Sequence, residues 1–303
     1  MPIEALRTPD DAFAELPDFP YEPHYVEDLP GYEGLRMAYI DEGPRDATEV
    51  FLCLHGEPTW SFLYRKMIPV FLESGARVVA PDLFGFGRSD KPVDFDTYSF
   101  SFHRGAMMAF IGSLGLERVT LVCQDWGGLL GLTIPADRPE LIARLLIMNT
   151  ALGIGVPGGK GFEEWKNYVA TNPDFDVVQL MKRACPTLSE AEAAAYGAPF
   201  PDRRYTAGVR SFPALVPVSP EMDGVEISKK AGVFWGTEWS GPTFMAIGMQ
   251  DPVLGPKIMK MMRGMIRGCP EPMELAEAGH FVQESGEAVA KAALEAFAAA
   301  KTG

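Results

Sequence analysis

The sequence has few cysteines, few histidines and an excess of acidic over basic residues. Its 303 residues include four cysteines and four histidines, and 27 lysines and arginines stand against 41 aspartates and glutamates. A net charge of -14 would repel nucleic-acid phosphates and anionic membranes, because both are bound by clustered Lys and Arg. We therefore expect neither a nucleic-acid partner nor a membrane partner.

The cysteines and histidines are also widely separated in the sequence. No histidines form an i, i+4 pair and none lies near a cysteine cluster, so we expect no metal site. The glycine-rich segment PDLFGFGRSD lacks the third glycine of a dinucleotide-binding fingerprint, and we expect no cofactor. We expect the cysteines to be reduced and structural. These residues are Cys53, Cys123, Cys185, Cys269, His24, His55, His103 and His280.

Long hydrophobic runs are missing as well. No apolar run approaches the length that crosses a bilayer, and the opening residues, MPIEALRTPDDAF, contain early acids and no signal-peptide core. We therefore expect a cytoplasmic protein.

Short apolar runs alternate with amphipathic segments along most of the chain. Such runs are typical of strands buried on both faces of a mostly parallel sheet, and the segments 99–115 and 284–301 are typical of helices. The pattern predicts an α/β fold with a mostly parallel central sheet flanked by helices. The predicted strands are EVFLCL, ARVVA, RVTLVC, RLLIMN and TFMAIG.

The alternation stops after Asn149 and resumes only at Thr243. Residues 150–220 contain short helix candidates separated by Pro and Gly, and no convincing strand. We interpret 150–220 as a helical cap domain inserted into one core domain, which consists of residues 1–149 and 221–303.

A nucleophile-elbow pattern follows the RVTLVC run. The pattern places a nucleophile between small residues on a tight strand-to-helix turn, and Cys123, Asp125 and Gly127 occupy its small, nucleophilic and small positions. Asp125 alone could equally cap the helix that follows. An acid and then a histidine should come later in the chain. Asp251 follows TFMAIG and His280 lies in AGHFVQE, so the order indicates a catalytic triad.

The loop His55-Gly56-Glu57-Pro58 follows the first predicted central strand. In proteins with a nucleophile elbow, the loop after this strand supplies one backbone amide of the oxyanion hole, and the second amide comes from the residue after the nucleophile. We expect the backbone N–H groups of Glu57 and Trp126 to form the oxyanion hole. The Glu57 side chain need not touch substrate and is interpreted as a surface or supporting carboxylate.

Over nearly its whole length the sequence resembles the haloalkane dehalogenases of the α/β-hydrolase superfamily. It is most similar to the branch typified by the 1,2-dichloroethane-degrading enzyme, in which one halide-binding tryptophan follows the nucleophile and a second comes from the cap. The segments that carry the resemblance are HGEPTW, PDLFGFGRSDKP, VCQDWGG, GFEEWKNYV, APFPDRRYTAGVRSFP, FMAIGMQD and AGHFVQE.

The resemblance implies hydrolysis of short haloalkanes to alcohol and halide. Asp125 would be the nucleophile, since an ionised carboxylate can attack a saturated carbon without a base. His280 would activate water to cleave the resulting ester, and Asp251 would orient His280. A related branch has its acid after the RLLIMN strand, but Asn149 and Thr150 at that position are not acidic.

Two tryptophans are expected to bind the halide, because an indole N–H is only a donor. Trp126 follows the nucleophile, and Trp165 matches the cap tryptophan, although a tryptophan on an amphipathic helix is more often a core residue. Phe162 is expected to line the apolar pocket. The implied partners are a small halogenated alkane, water and a halide ion, and the implied assembly is a monomer. The tryptophans expected only to pack are Trp60, Trp235 and Trp239.

Other functions fit parts of the pattern. An epoxide hydrolase would use the same Asp, Asp and His with two cap tyrosines, for which Tyr168, Tyr196 and Tyr205 are available. Glu57 and the paired tryptophans argue against it. A fluoroacetate dehalogenase would need arginines near the nucleophile, where the sequence has Trp and Gly. A non-catalytic binding protein would keep the fold without turnover, but the intact triad argues against it.

Overall fold

The apolar runs of the sequence form the central strands of a long sheet. The computed structural model describes residues 3–302. Its strands are β1 (Ala5–Leu6), β2 (His24–Glu27), β3 (Arg36–Glu42), β4 (Val50–Leu54), β5 (Arg77–Pro81), β6 (Lys91–Pro92), β7 (Val119–Cys123), β8 (Ile142–Met148), β9 (Thr243–Gly248) and β10 (Met273–Leu275). The main sheet has the order β10-β9-β8-β7-β4-β5-β3-β2, and β1 pairs with β6 separately. Strand β3 pairs antiparallel with both β2 and β5, and all other neighbouring strands of the main sheet are parallel. This confirms the predicted mostly parallel sheet.

Helices fill most of the connections between these strands. They are α1 (Ile68–Glu73), α2 (Phe100–Ser113), α3 (Asp125–Gly131), α4 (Lys160–Thr171), α5 (Val177–Ala184), α6 (Glu190–Gly197), α7 (Ala207–Leu215), α8 (Val225–Val233), α9 (Pro256–Met265) and α10 (Gly286–Thr302). Within residues 3–302 none of them combines the length and the apolar character that a membrane span requires.

The sheet is covered on both faces. In β7, Leu121 and Cys123 pack into one hydrophobic cluster, and Val122 between them packs into another. The first cluster includes side chains of α2, α3 and α9, and the second includes side chains of α1 and α10. Because successive side chains of a strand point to opposite faces, the clusters form separate core layers. This double burial explains why the central strands are continuous apolar runs.

The predicted helix limits differ slightly from the observed ones because capping determines where helices begin. Ser99 is the N-cap of α2, and its hydroxyl accepts a hydrogen bond of 3.0 Å from the Phe102 amide. The last helix begins at Gly286 instead of residue 284, since a 3₁₀ turn, Val282–Ser285, precedes it. The stretch predicted as a cap, 150–220, contains α4 to α7 and no strand, and its status as a separate domain stays a prediction.

A buried guanidinium joins this helical stretch to the sheet. The Arg65 side chain lies after β4 and donates two hydrogen bonds of 2.8 Å to the Glu284 carboxylate, next to α10. It also donates a 2.8 Å hydrogen bond to Glu192 on α6. The Tyr196 hydroxyl, also on α6, hydrogen-bonds Glu284. Arg65 thus holds α6 against the core through charge-assisted bonds.

Replacing Arg65 by Met should lower the free energy of unfolding by about 3 kcal/mol, because it removes the buried cation of two carboxylates and leaves them only the more exposed Lys66. Urea unfolding followed by circular dichroism measures the loss. The control is Lys291→Met, which removes an exposed pair with Glu287 and should cost less than about 1 kcal/mol. Equal losses in the two variants would contradict the anchoring role of Arg65.

Candidate active site

Loops at the carboxyl ends of neighbouring parallel strands meet at one cavity of about 520 Å³. In open α/β sheets this edge is where ligands bind. Loops after β4, β7, β9 and β10 contribute polar side chains to the cavity wall, and α4 contributes aromatic side chains. The structure brings together here every residue predicted for the site, namely Glu57, Asp125, Trp126, Phe162, Trp165, Asp251 and His280.

Asp125 lies on a tight turn between β7 and α3. Its φ of 49° is in the left-handed region that residues other than glycine rarely adopt. The turn is held by a 2.9 Å hydrogen bond from the Asp125 amide to the Asn149 carbonyl and by a 2.7 Å bond from the Thr150 hydroxyl to the Asp125 carbonyl. Gly127 is required, since a Cβ there would lie 1.9 Å from the Leu54 carbonyl oxygen. Such strain persists only where surrounding contacts enforce it, as they do here.

The Asp125 carboxylate faces the cavity instead of capping α3. Gln124 occupies the N-cap position, and Asp125 is the first residue of the helix. The carboxylate oxygen Oδ1 accepts a 2.9 Å hydrogen bond from the Glu57 amide. The helix-cap alternative for Asp125 is therefore wrong.

His280 lies between two carboxylates. Its Nδ1 is 2.8 Å from Asp251 Oδ2, and its Nε2 is 3.6 Å from Asp125 Oδ2. Because the ionised Asp251 is only an acceptor, Nδ1 donates to it, and Nε2 is directed toward Asp125. The Gln124 side-chain amide lies 3.0 Å from the same Nε2. An imidazole held in this way presents one ring nitrogen to the cavity.

The charges of this group shift the pKa values of its members. Burial alone lowers the pKa of His280, but the negative charge of Asp251 and contacts with Asp125 raise it well above its usual value. Burial raises the pKa of Asp251, but the charge and hydrogen bond of His280 and the bond from Asn149 lower it to about 2. The arrangement therefore favours a protonated His280 beside an ionised Asp251.

Asn149 supports Asp251, a role that the sequence analysis missed. Its side-chain amide donates to Asp251 Oδ2 at 2.8 Å and to the Gly248 carbonyl at 3.1 Å. The amides of Val253 and Leu254 donate to the other Asp251 oxygen at 2.8 and 3.0 Å. The only signal in the sequence was the position of Asn149 at the carboxyl end of a predicted strand, where side chains can reach the site.

The side chain of Glu57 differs from its predicted environment. We expected a surface or supporting carboxylate, but only 6% of the residue is exposed, so the surface interpretation is wrong. Burial, followed by the nearby charge of Asp125, raises its pKa well above the usual range. Gly56 has no room for a side chain, since a Cβ there would lie 2.3 Å from Asp125 Oδ1. This close approach lets the Glu57 amide reach the Asp125 carboxylate.

His55 fixes the loop that carries Glu57. Its Nε2 accepts a 2.9 Å hydrogen bond from the Leu83 amide, so the ring proton is on Nδ1, which lies 2.9 Å from the Gly56 carbonyl. The imidazole is buried, and burial lowers its pKa. A neutral His55 therefore serves as a rigid support and is turned away from the chemistry.

Trp126 belongs to the predicted core domain and Trp165 to the predicted cap, and both residues line the cavity. Trp126 is 2% exposed and packs against Phe212 with ring centroids 4.4 Å apart. Trp165 on α4 is half-buried and stacks on Tyr168 at 5.8 Å. Trp165 lies close enough to the Glu57 carboxyl to offset part of the rise in its pKa. Trp165 and Glu57 therefore lie in the same part of the cavity.

The remaining tryptophans are buried away from this cavity, as expected of packing residues. Trp60 donates to the Ala195 carbonyl, Trp235 to the Leu132 carbonyl, and Trp239 to the Thr243 hydroxyl. Phe162 is buried at the cavity wall. In the described part of the chain, no group of three or more His, Cys, Asp or Glu side chains is placed to hold a metal ion.

The chain is similar to known proteins over most of its length. A family model described as the alpha/beta hydrolase fold matches residues 49–287. A haloalkane dehalogenase of Psychrobacter cryohalolentis is 44% identical over 296 residues, which cover 95% of this chain and 96% of that protein. Haloalkane dehalogenase 1 of Mycobacterium tuberculosis is 40% identical over 302 residues, with 96% and 98% of the two chains covered.

A solved structure is similar over almost the full length. The haloalkane dehalogenase DpaA of Paraglaciecola agarilytica has 52% identity and a TM-score of 0.95, and the match covers 97% of this chain and 98% of that one. The chain belongs to the haloalkane dehalogenases. It is thus an α/β-hydrolase-fold enzyme that acts on carbon–halide bonds. DpaA is described as tetrameric, whereas the monomer expected for this dehalogenase stays a prediction.

Membership of this family removes the non-catalytic alternative and weakens the epoxide hydrolase alternative. Among the residues that the structure describes, no tyrosine lines the dehalogenase cavity. Tyr196 is buried and bonded to Glu284, and the Tyr168 hydroxyl accepts a 3.1 Å bond from Arg183. Two of the three tyrosines available to an epoxide hydrolase are therefore engaged elsewhere, and Tyr205 does not line this cavity.

Replacing Gly127 by Ala should lower kcat/KM of the dehalogenase by about 100-fold, because the new Cβ would displace the turn that holds Asp125. Halide release from 1-bromobutane measures the effect. The matched control is Gly264→Ala on α9, where a Cβ meets nothing within 4 Å. This control should retain activity and gain up to about 1 kcal/mol of stability. Unchanged halide release by Gly127→Ala would contradict the requirement for a tight turn.

Proposed function

We propose that the enzyme hydrolyses short haloalkanes to an alcohol and a halide through a covalent alkyl ester on Asp125. The observation that carries the proposal is the Asp125 carboxylate on its strained turn, with the Glu57 amide 2.9 Å from one oxygen and His280 Nε2 3.6 Å from the other. The cavity around it has mostly apolar walls, which suits an alkyl chain.

In the first step, Asp125 Oδ2 attacks the carbon that bears the halogen. The new bond joins this oxygen to carbon, and the carbon–halogen bond breaks with its electron pair on the halide. The Glu57 amide holds Oδ1 and so directs the other oxygen at the substrate. An ionised carboxylate needs no base for this step.

Esterification prepares His280 for the second step. Once Asp125 carries an alkyl group it is neutral, so one of the negative charges that raise the pKa of His280 is lost. The imidazolium then gives its Nε2 proton to solvent, and the neutral imidazole can act as a base. Asp251, supported by Asn149, keeps Nδ1 protonated and Nε2 available.

In the second step, His280 Nε2 takes a proton from a water molecule that attacks the ester carbon of Asp125. Negative charge develops on Oδ1, where the Glu57 and Trp126 amides form the oxyanion hole. Collapse breaks the bond from the Asp125 carbonyl carbon to the alkyl oxygen, which takes the proton from His280. Alcohol leaves, and the carboxylic acid left on Asp125 ionises.

The departing halide is assigned to the indole N–H groups of Trp126 and Trp165. Both line the cavity beside Asp125, and donors fixed in advance stabilise a developing anion better than mobile water does. Trp165 belongs to α4, within the predicted cap. We therefore propose that the enzyme belongs to the branch whose second halide-binding tryptophan comes from the cap.

The variant His280→Gln should release about one bromide per active site from 1-bromobutane and then stop, because only ester hydrolysis needs the base. Rapid-quench bromide assays measure the burst, and mass spectrometry should find a butyl group on the Asp125 peptide. The control Asp125→Asn should release no bromide. Continuous turnover by His280→Gln would remove His280 from the proposed mechanism.

The variant Trp165→Phe should bind bromide roughly tenfold more weakly, since it loses one hydrogen bond to an anion. Bromide titration of the intrinsic fluorescence gives the affinity. Trp239→Phe is the control, because Trp239 is buried away from the cavity and bonded to Thr243. Equal bromide affinities in wild type and Trp165→Phe would show that Trp165 only packs and does not bind the halide.

A further inference from the structure

The side chain of Glu57 has no part in the mechanism proposed above, yet it lines the cavity beside the reacting groups. It is 6% exposed, and its Oε1 is buried without a hydrogen-bond partner. Buried polar atoms are nearly always paired, so an unpaired one on a cavity wall indicates a ligand that completes it.

The groups that face the Glu57 carboxyl determine its protonation. Burial has the largest effect on its pKa, and Asp125 adds to it; both raise the pKa, whereas His280 and Trp165 lower it. Asp251 lies behind His280, and Arg183 lines the same cavity. Burial and the charge of Asp125 therefore favour the neutral carboxylic acid over the carboxylate and raise the pKa of Glu57 well above its usual range.

The charge of Glu57 affects halide binding because the side chain lies beside the proposed halide site. Its carboxyl lies near Trp165, one of the indoles assigned to the halide, and near the Asp125 nucleophile. An ionised Glu57 would repel a halide in this low-dielectric cavity. A protonated Glu57 carries an O–H donor in the same place.

We propose that Glu57 is kept as a neutral carboxylic acid and that its O–H donates a hydrogen bond to the departing halide, together with the indoles of Trp126 and Trp165. The inference rests on the proposed dehalogenation and deepens it. It explains why a buried acidic side chain is found beside an anion site and what would complete its unpaired oxygen.

Halide binding is therefore coupled to the protonation of Glu57. If the halide binds only when Glu57 is protonated, its apparent affinity falls about tenfold for each pH unit above the pKa of Glu57 in the free enzyme. Loss of the proton therefore weakens the halide site and favours release. Protonated His280 also attracts the anion, so its own deprotonation adds a second, separate dependence on pH.

The variant Glu57→Gln separates these effects, because its amide keeps a neutral N–H donor and cannot ionise. Bromide affinity is measured by fluorescence titration from neutral to alkaline pH in wild type and variant. Glu57→Gln should retain only the dependence due to His280, and wild type should show an additional fall approaching tenfold per pH unit. Parallel pH profiles in the two proteins would overturn the proposal.

A second variant tests the donor itself. Glu57→Leu preserves the approximate size and the backbone amide but has no donor, and it should bind bromide roughly tenfold more weakly at neutral pH. Infrared difference spectra of wild type minus Glu57→Gln should also contain the C=O band of a protonated carboxyl. Wild-type affinity in Glu57→Leu, or absence of that band, would overturn the proposal.

Turnover distinguishes this inference from the proposed function. Wild-type enzyme that releases bromide from 1-bromobutane, while the bromide profiles of wild type and Glu57→Gln coincide, would reject the role of Glu57 and leave the dehalogenation standing. If wild type neither responds to bromide nor releases it from 1-bromobutane, both proposals are rejected.

Discussion

The left-handed backbone of Asp125 is the constraint on which the rest of the site depends. A φ of 49° is unfavourable for an aspartate, and it is maintained by bonds from the neighbouring loop at Asn149 and Thr150. The absent side chain of Gly127 lets the turn pass against β4. This one conformation raises the carboxylate above the sheet, where it can meet the Glu57 amide and His280.

Burial and neighbouring charges shift the pKa values of the ionisable groups of the cavity in different directions. His280 gains a proton because carboxylates lie on both of its sides, and Asp251 loses its proton because His280 and Asn149 stabilise the anion. Glu57 is as buried as Asp251, but burial is reinforced there by another carboxylate, so its pKa moves in the opposite direction. Acidic side chains in one cavity therefore have pKa values shifted in opposite directions.

Much of the fold and the principal site residues could be predicted because they depend on local patterns. Continuous apolar runs such as β7 indicate doubly buried strands, and the elbow at Asp125 has a fixed spacing of small residues. The environment of Glu57 could not be predicted, since the groups that bury it come from distant segments. The helix-cap alternative for Asp125 was likewise decided by the Glu57 amide, which is far away in sequence.

The sequence by itself determined the alternation of strands and helices, the chain order of Asp125, Asp251 and His280, and the resemblance that predicted the family. These features follow from side-chain periodicity and from local turn chemistry. Only the tertiary structure decided that Asn149 supports Asp251 and that the Glu57 carboxyl is buried beside Trp165. Desolvation and charge proximity depend on contacts between separate segments, and those contacts exist only once the sheet and the helical stretch around Trp165 have packed together.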